Sequence, residues 1–270
     1  MIILKPYLRL LGSDKMPKKV NVFGVEIHNT SLNNLIKEIK VHLEEKDQIS
    51  IFTPNTEIVM QAKKSKDQIK ILNSGTYVIP DGIGLIYGAK LRGIELKERV
   101  TGYDTSMALL DIANENAYGL YLLGGKEGVA DKALAALKIS HPGIRITGCH
   151  HGYFEGTHLG KLQTPEEEQI INEIKETNTN ILFVGFGFPR QEKWINDNID
   201  KTGVNIAIGN GGVIDILAGD AKRAPDIFIK MGLEWLYRLV MNPSRIKRQI
   251  VLPLFIIQVL INKKSISKIN

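Results

Sequence analysis

Asp81 stands in Ile-Pro-Asp-Gly directly after a short apolar run, and Thr53 and Asn55 stand in Thr-Pro-Asn after another. A carboxylate lodged near apolar walls is a reasonable general base, a role worth about 10²–10⁴ in rate. Plainer readings exist: Thr53 caps a helix with proline in its first turn, and Asp81 is a turn residue. Arg99, Thr101, Gly102 and Asp104 fall in Arg-Val-Thr-Gly-Tyr-Asp, ahead of a helical stretch from Thr105. Arg99 there offers a fixed fork of donors to a phosphate or sugar, while Asp104 also reads as an N-cap. Gly124-Gly125 presents backbone amides on which a phosphate can rest, although turn glycine is the commoner case. No Gly-Lys-Ser/Thr follows, so this is not a Walker loop. Gly187, Gln191 and Asn210 lie at or just beyond two more glycine-rich turns.

The elements that must position these residues repeat one pattern. Apolar runs at Ile49–Phe52, Tyr77–Ile79, Gly119–Leu123, Ile181–Val184 and Asn205–Ile208 each end in a Gly, Pro, Thr or Asp turn. A helix-like segment follows each. Strands alternating with helices predict an α/β fold with a mainly parallel sheet and helices on both faces. Ligands of such sheets bind beyond the carboxyl ends of the strands, so the turns converge on one mouth. Helix N-termini there favour phosphate.

Charge divides the chain. Of its 270 residues, 35 are Lys or Arg and 29 Asp or Glu, a net charge of +6. From Ala221 onward there are ten basic residues and two acids, against 25 and 27 in the preceding 220. A basic tail on a near-neutral body points to an anionic partner. The expected division is an extension over 1–15, a catalytic core over 16–222 and a basic amphipathic appendage over 223–270. In the appendage, Lys230, Glu234 and Arg238 form one ridge on a helix expected over Asp226–Met241. Asn242-Pro243 ends it, and Arg245 and Arg248 share the face of the next. The apolar run Ile250–Ile261, broken by Pro253, covers only about 18 Å as helix. That is too short to span a bilayer core of about 30 Å but suits its interface. The three arginines read either as a snorkelling belt or as ligands of a diphosphate at the mouth.

Other classes are excluded or weakened. One cysteine, Cys149, forms no internal bridge and removes a multi-Cys zinc site; a reducing, cytoplasmic setting fits. His150, His151 and His158 meet no standard zinc spacing, and no Asp-x-Asp pair is present to hold a divalent ion on a nucleotide diphosphate. Glu166-Glu167-Glu168 reads as a solvated helix face. The apolar start of the chain lacks a small-residue cleavage site, so no signal peptide is expected. A dinucleotide fingerprint begins at Gly185-Phe186-Gly187 and fails at Arg190, which weakens a nicotinamide oxidoreductase. The apolar tail favours lipid over nucleic acid.

Taken together, Ile-Phe-Thr-Pro-Asn-Thr-Glu, Ile-Pro-Asp-Gly-Ile-Gly, Arg-Val-Thr-Gly-Tyr-Asp, Leu-Leu-Gly-Gly, Val-Gly-Phe-Gly-Phe-Pro-Arg-Gln-Glu and Gly-Asn-Gly-Gly-Val-Ile-Asp resemble the TagA/WecG/CpsF glycosyltransferases. The ordered match runs from about Val20 to Arg248. The resemblance implies a Rossmann-like fold and inverting, metal-independent transfer with no cofactor. It implies an N-acetylmannosamine-type sugar moving from a UDP donor to polyprenyl-diphosphate-linked N-acetylglucosamine. The TagA branch makes the linkage unit of wall teichoic acid; the WecG branch uses the uronic acid sugar. By the same resemblance Asp81 is the base, with Thr53 beside it and Asn55, Arg99 and Gln191 lining the pocket. Arg238, Arg245 and Arg248 belong to an appendage that docks on an anionic membrane, on the cytoplasmic face, and closes the site over UDP.

Overall fold

A computed structural model describes residues 18–162, 164–243 and 246–269. Its strands are β1 (Lys19–Val22), β2 (Val25–His28), β3 (Ile49–Phe52), β4 (Tyr77–Val78), β5 (Gly119–Gly124), β6 (Arg145–His150), β7 (Ile181–Gly185), β8 (Ile206–Gly209) and β9 (Ile266–Lys268). Six of them form one sheet in the order β4-β3-β8-β7-β5-β6, and every pairing in it is parallel. The expected α/β architecture is therefore present.

The apolar runs are continuous because the central strands are covered on both faces. Every residue of β3, β5 and β8 is buried. Alternation along each strand divides the core in two. Ile49, Ile51, Leu120, Leu122, Ile206 and Ile208 point to one side, where helices Leu32–Glu45, Gly102–Asn116 and Val129–Ser140 cover them. Phe52, Tyr121, Leu123, Leu182, Val184 and Ala207 point to the other, under helices Thr56–Ala62, Lys66–Asn73, Ile83–Leu91, Pro165–Glu176 and Arg190–Thr202. Side chains of Ser31, Asn55, Ser65, Thr101 and Thr164 accept the free N–H groups at five helix starts. Each such cap contributes about 1 kcal/mol.

The end of the chain returns to its beginning. β9 pairs antiparallel with β1, matching Val22 to Ile266, and β2 completes a small three-stranded sheet. Before it, helix Val251–Ile261 buries Phe255 and Val259. Gly88 makes room: a Cβ there would lie 2.5 Å from the Phe255 ring. Pro253 sits in this helix's first turn, where no N–H is needed, so it does not interrupt it.

Two expectations need correction. The single helix over Asp226–Met241 is two, Asp226–Lys230 and Glu234–Met241. Gly232 between them has φ +71°, left-handed backbone suited to glycine, so Lys230 and Glu234 share no continuous helical ridge. Glu167 is not solvated. It is 2% exposed, and its carboxylate accepts from the N–H and hydroxyl of Thr157, both at 2.9 Å. Among the described residues, no helix is long and apolar enough to cross a membrane.

Candidate active site

The carboxyl ends of the strands stand level, because Phe52 pairs with Gly209, Val184 with Gly209 and Gly124 with Gly185. The turns that follow open into a cleft of about 500 Å³. Thr53, Asn55, Asp81, Arg99, Thr101, Gly102, Gly187, Gln191, Asn210 and Arg248 all line it. Residues separated by almost 200 positions thus meet at one edge.

Each wall is built by local chemistry. Thr53 is buried, and its hydroxyl donates to the Gly209 carbonyl at 3.0 Å, joining the ends of β3 and β8. Asn55 caps the next helix by accepting from Ile58 N–H at 3.0 Å. The Asp81 N–H donates to Pro54 O at 3.1 Å, which ties the Asp81 turn to the Thr-Pro-Asn turn. The cap is thus Asn55 and not Thr53, whose hydroxyl is taken by Gly209, and Pro54 lies ahead of the helix; the turn reading of Asp81 holds together with a place in the cleft.

Next to Thr53, where Gly102 packs against it, the Thr101 hydroxyl donates to Asp104 at 2.6 Å and accepts the Asp104 N–H at 2.9 Å. One turn into the same helix, the Ser106 hydroxyl donates to Gly102 O and accepts from the Asn210 amide at 2.8 Å. Asn210 Oδ1 is buried and has no hydrogen-bond partner among the described residues. Gln191 is 4% exposed. Its Oε1 accepts the Gly187 N–H at 3.0 Å, and its Nε2 donates to Glu192 at 2.9 Å. Gly187, at φ +77°, takes the left-handed turn that this bond closes.

Among the described residues, three guanidinium groups reach the cleft, each held by a carboxylate. Arg99 meets Glu234 at 3.5 Å. Arg248 meets Glu57 at 2.6 Å. Arg223 meets Asp104 at 2.6 Å and lies 4.1 Å over the Tyr103 ring. A guanidinium has five N–H donors, and these contacts leave some of them for an anionic ligand. Arg223, Glu234 and Arg248 come from the segment after residue 222, so that segment forms part of the wall.

Some expected residues stand elsewhere. Gly124 and Gly125 do not line the cleft. A Cβ on Gly124 would lie 2.6 Å from Gly185 O, so its glycine serves strand packing. Asp104 stands behind the wall, positioning Thr101 and Arg223. The Arg238 side chain and the whole of Arg245 lie outside the described residues. Sequence reasoning missed Arg223 and Asp215, which do line the cleft. Burial, aided by nearby Asp220 and opposed by Lys126, raises the Asp215 carboxyl above its ordinary range. Both residues follow glycine-rich turns, a signal shared with many surface charges.

A cleft on a parallel sheet, walled by hydroxyls, amides and guanidinium groups, suits transfer of a polar group from an anionic carrier; the class is that of a glycosyltransferase. The chain belongs to the glycosyl transferase WecG/TagA/CpsF family, whose sequence profile matches residues 20–268. It is 32% identical over 245 residues to the N-acetylglucosaminyldiphosphoundecaprenol N-acetyl-beta-D-mannosaminyltransferase of Bacillus subtilis (strain 168), covering 90% of this chain and 92% of that one. It is 31% identical over 252 residues to the protein of the same name from Staphylococcus aureus (strain MW2), covering 93% and 95%. Neither likeness supports the oxidoreductase reading.

Proposed function

We propose that this chain moves N-acetylmannosamine from UDP-N-acetylmannosamine to the C4 hydroxyl of N-acetylglucosamine on undecaprenyl diphosphate. The product would be the linkage unit of wall teichoic acid or of a related surface polysaccharide. The observation that carries the reading is Asp81 in a cleft with Arg99, Arg223 and Arg248, in a chain whose relatives bear that activity's name.

Asp81 takes the proton of the acceptor hydroxyl as that oxygen attacks the anomeric carbon. The new bond joins oxygen to carbon, and the bond from carbon to the β-phosphate oxygen breaks on the opposite face. The configuration inverts, and UDP leaves with its added charge. Preorganised guanidinium groups facing that charge are worth most in a site closed from water. The Pro54 carbonyl, between Thr53 and Asn55, holds the Asp81 turn, and Gln191 holds the Gly187 turn. The base and the guanidinium groups then line one cleft. This chemistry needs no metal on the donor.

In this reading residues 16–222 form the catalytic core and residues 223–270 an appendage that seats the enzyme on the inner face of the membrane. Exposed Ile250, Leu254, Ile257, Leu260 and Ile261, with Lys263 and Lys264 beside them, support docking on an anionic lipid surface. The test is UDP release with a lipid-diphosphate-GlcNAc acceptor in EDTA, comparing wild type with Asp81→Asn. Acceptor-dependent turnover that survives EDTA and falls about 10²–10⁴-fold in the variant supports donor, mechanism and base. Turnover only with the uronic acid donor moves the chain to the other branch, and silence with both donors overturns the reading.

A further inference from the structure

His150 ends β6, the edge strand of the large sheet, and His151 opens the loop beyond it. Glu166 enters from the first turn of helix Pro165–Glu176. One ligand atom from each of the three lies within 4.8 Å of the others. None of the three lines the cleft.

The hydrogen bonds around His150 set its lone pairs. Its Nδ1 lies 2.9 Å from the His151 carbonyl oxygen, which only accepts, so Nδ1 carries a proton and donates. In the neutral ring, Nε2 then presents a lone pair, and the atom it faces is Glu166 Oε1 at 3.8 Å. Two acceptors facing each other are bridged either by a proton on Nε2, as in an ion pair, or by a metal ion. A ring N–H donated to a backbone carbonyl, with the other nitrogen turned to an open point, is the outer-shell arrangement of metal-bound histidine.

The neighbours hold this geometry in place. Phe154 packs edge-on against the His150 ring at 5.6 Å. Glu167, anchored by Thr157, fixes the start of the helix that carries Glu166. The His151 ring lies 4.3 Å from that of His150, and its Nδ1 accepts only a long 3.3 Å contact from Tyr153 N–H. Three carboxylates in the helix's first turn offset its positive end.

The geometry points to a divalent transition-metal site of the zinc class made by His150, His151 and Glu166, with water in the fourth position. Two imidazoles and one carboxylate select zinc and its neighbours over magnesium or calcium. Ligand bonds of about 2.0–2.1 Å require the half-exposed Glu166 side chain to close inward slightly. The metal would tie the loop after β6 to helix Pro165–Glu176, a stabilising role away from the cleft. The spacing His150-His151 showed nothing of this, since the third ligand arrives from another element.

The test uses the tag-free full chain, stripped with chelator and dialysed. Zinc is titrated against a chromophoric competitor, and cobalt is added separately for its visible spectrum. One zinc per chain with Kd below about 10 µM, and a tetrahedral cobalt spectrum, are expected. Loss of an outer-shell partner alone weakens metal binding about 10–100-fold, so His150→Gln and Glu166→Gln should each weaken it by more than about 100-fold. Glu166→Gln changes a half-exposed residue and guards against misfolding of the histidine variant, checked by circular dichroism. Cys149→Ser should change nothing, because Cys149 Sγ faces Asp131 at 3.5 Å, away from the cluster. No zinc uptake at that affinity, affinity untouched by Glu166→Gln, or binding lost in Cys149→Ser overturns the assignment.

Discussion

Glu192→Gln should remove a pH dependence of stability. Glu192 is 1% exposed, its Oε1 accepts from Gln191, and its Oε2 has no partner among the described residues. Burial raises its carboxyl from 4.5 to about 7, only partly opposed by its own backbone and the Gln191 bond. Below the unfolded value the group is neutral in both states and costs the fold nothing. As pH rises from about 4.5 toward 7, the unfolded chain ionises first and the native state is left holding a proton or burying a charge. Stability therefore falls across that window and levels off above it. At about 1.36 kcal/mol per unit, the shift from 4.5 to about 7 amounts to roughly 3 kcal/mol.

The assay is urea denaturation of wild type and Glu192→Gln from about pH 4.5 to about pH 8.5, read as the difference at each pH. Subtraction cancels every other titrating group that the substitution leaves alone. The variant should gain on wild type by about 3 kcal/mol across the window, whatever its constant offset. Its glutamine oxygen still accepts from Gln191, so the Gly187 turn should survive. Parallel curves would refute the argument, for they would mean that Glu192 ionises as easily folded as unfolded.

Other perturbations follow from the same contacts. Arg223→Lys keeps the charge but loses both the fork to Asp104 and the stacking on Tyr103; the KM for the UDP-sugar should rise several-fold in steady-state kinetics, with Asp104 left unsatisfied. Gly88→Ala puts a methyl 2.5 Å from the Phe255 ring. It should cost about 1–3 kcal/mol, seen as a lower Tm, and should speed proteolysis within the last helix.

How far the fold was legible depended on burial. β3, β5, β7 and β8 lie inside the sheet, so both faces are apolar and the runs stand out. β6 escaped because an edge strand exposes Arg145 and carries Thr147, Gly148 and Cys149, with no run to see. β9 is three residues, Ile-Ser-Lys, and exists only through pairing with β1 across almost the whole chain. The site followed the same rule. Turn residues at strand ends were readable because the topology sends them to one edge. Glu167 was misread because its partners, Thr157 and Asn198, come from elements that local charge patterning does not connect. Gly124 and Gly125 were placed at the right edge, but strand-to-strand contact explains the first, which only the paired backbone of Gly185 reveals.

The last helix tests the proposed docking on lipid, because its two faces separate folding from docking. Phe255 and Val259 are fully buried against the core, while Leu254, Ile257 and Ile261 are 46%, 50% and 78% exposed. The exposed three fall at i, i+3 and i+7, one stripe of a helix, with Lys263 and Lys264 at its end. Each cation near an anionic surface adds about 1 kcal/mol, and each large apolar side chain taken from water about 1.5–3 kcal/mol at full burial. Ile257→Asp removes one such side chain and adds repulsion without touching the buried face. Its binding to vesicles containing phosphatidylglycerol should fall at least about tenfold in a flotation assay, with the Tm unchanged. Val259→Asp should instead lower the Tm, because it puts a carboxylate in the core. Equal vesicle binding by Ile257→Asp and wild type would show that the stripe does not carry docking and would remove the support it lends to the proposed membrane seat.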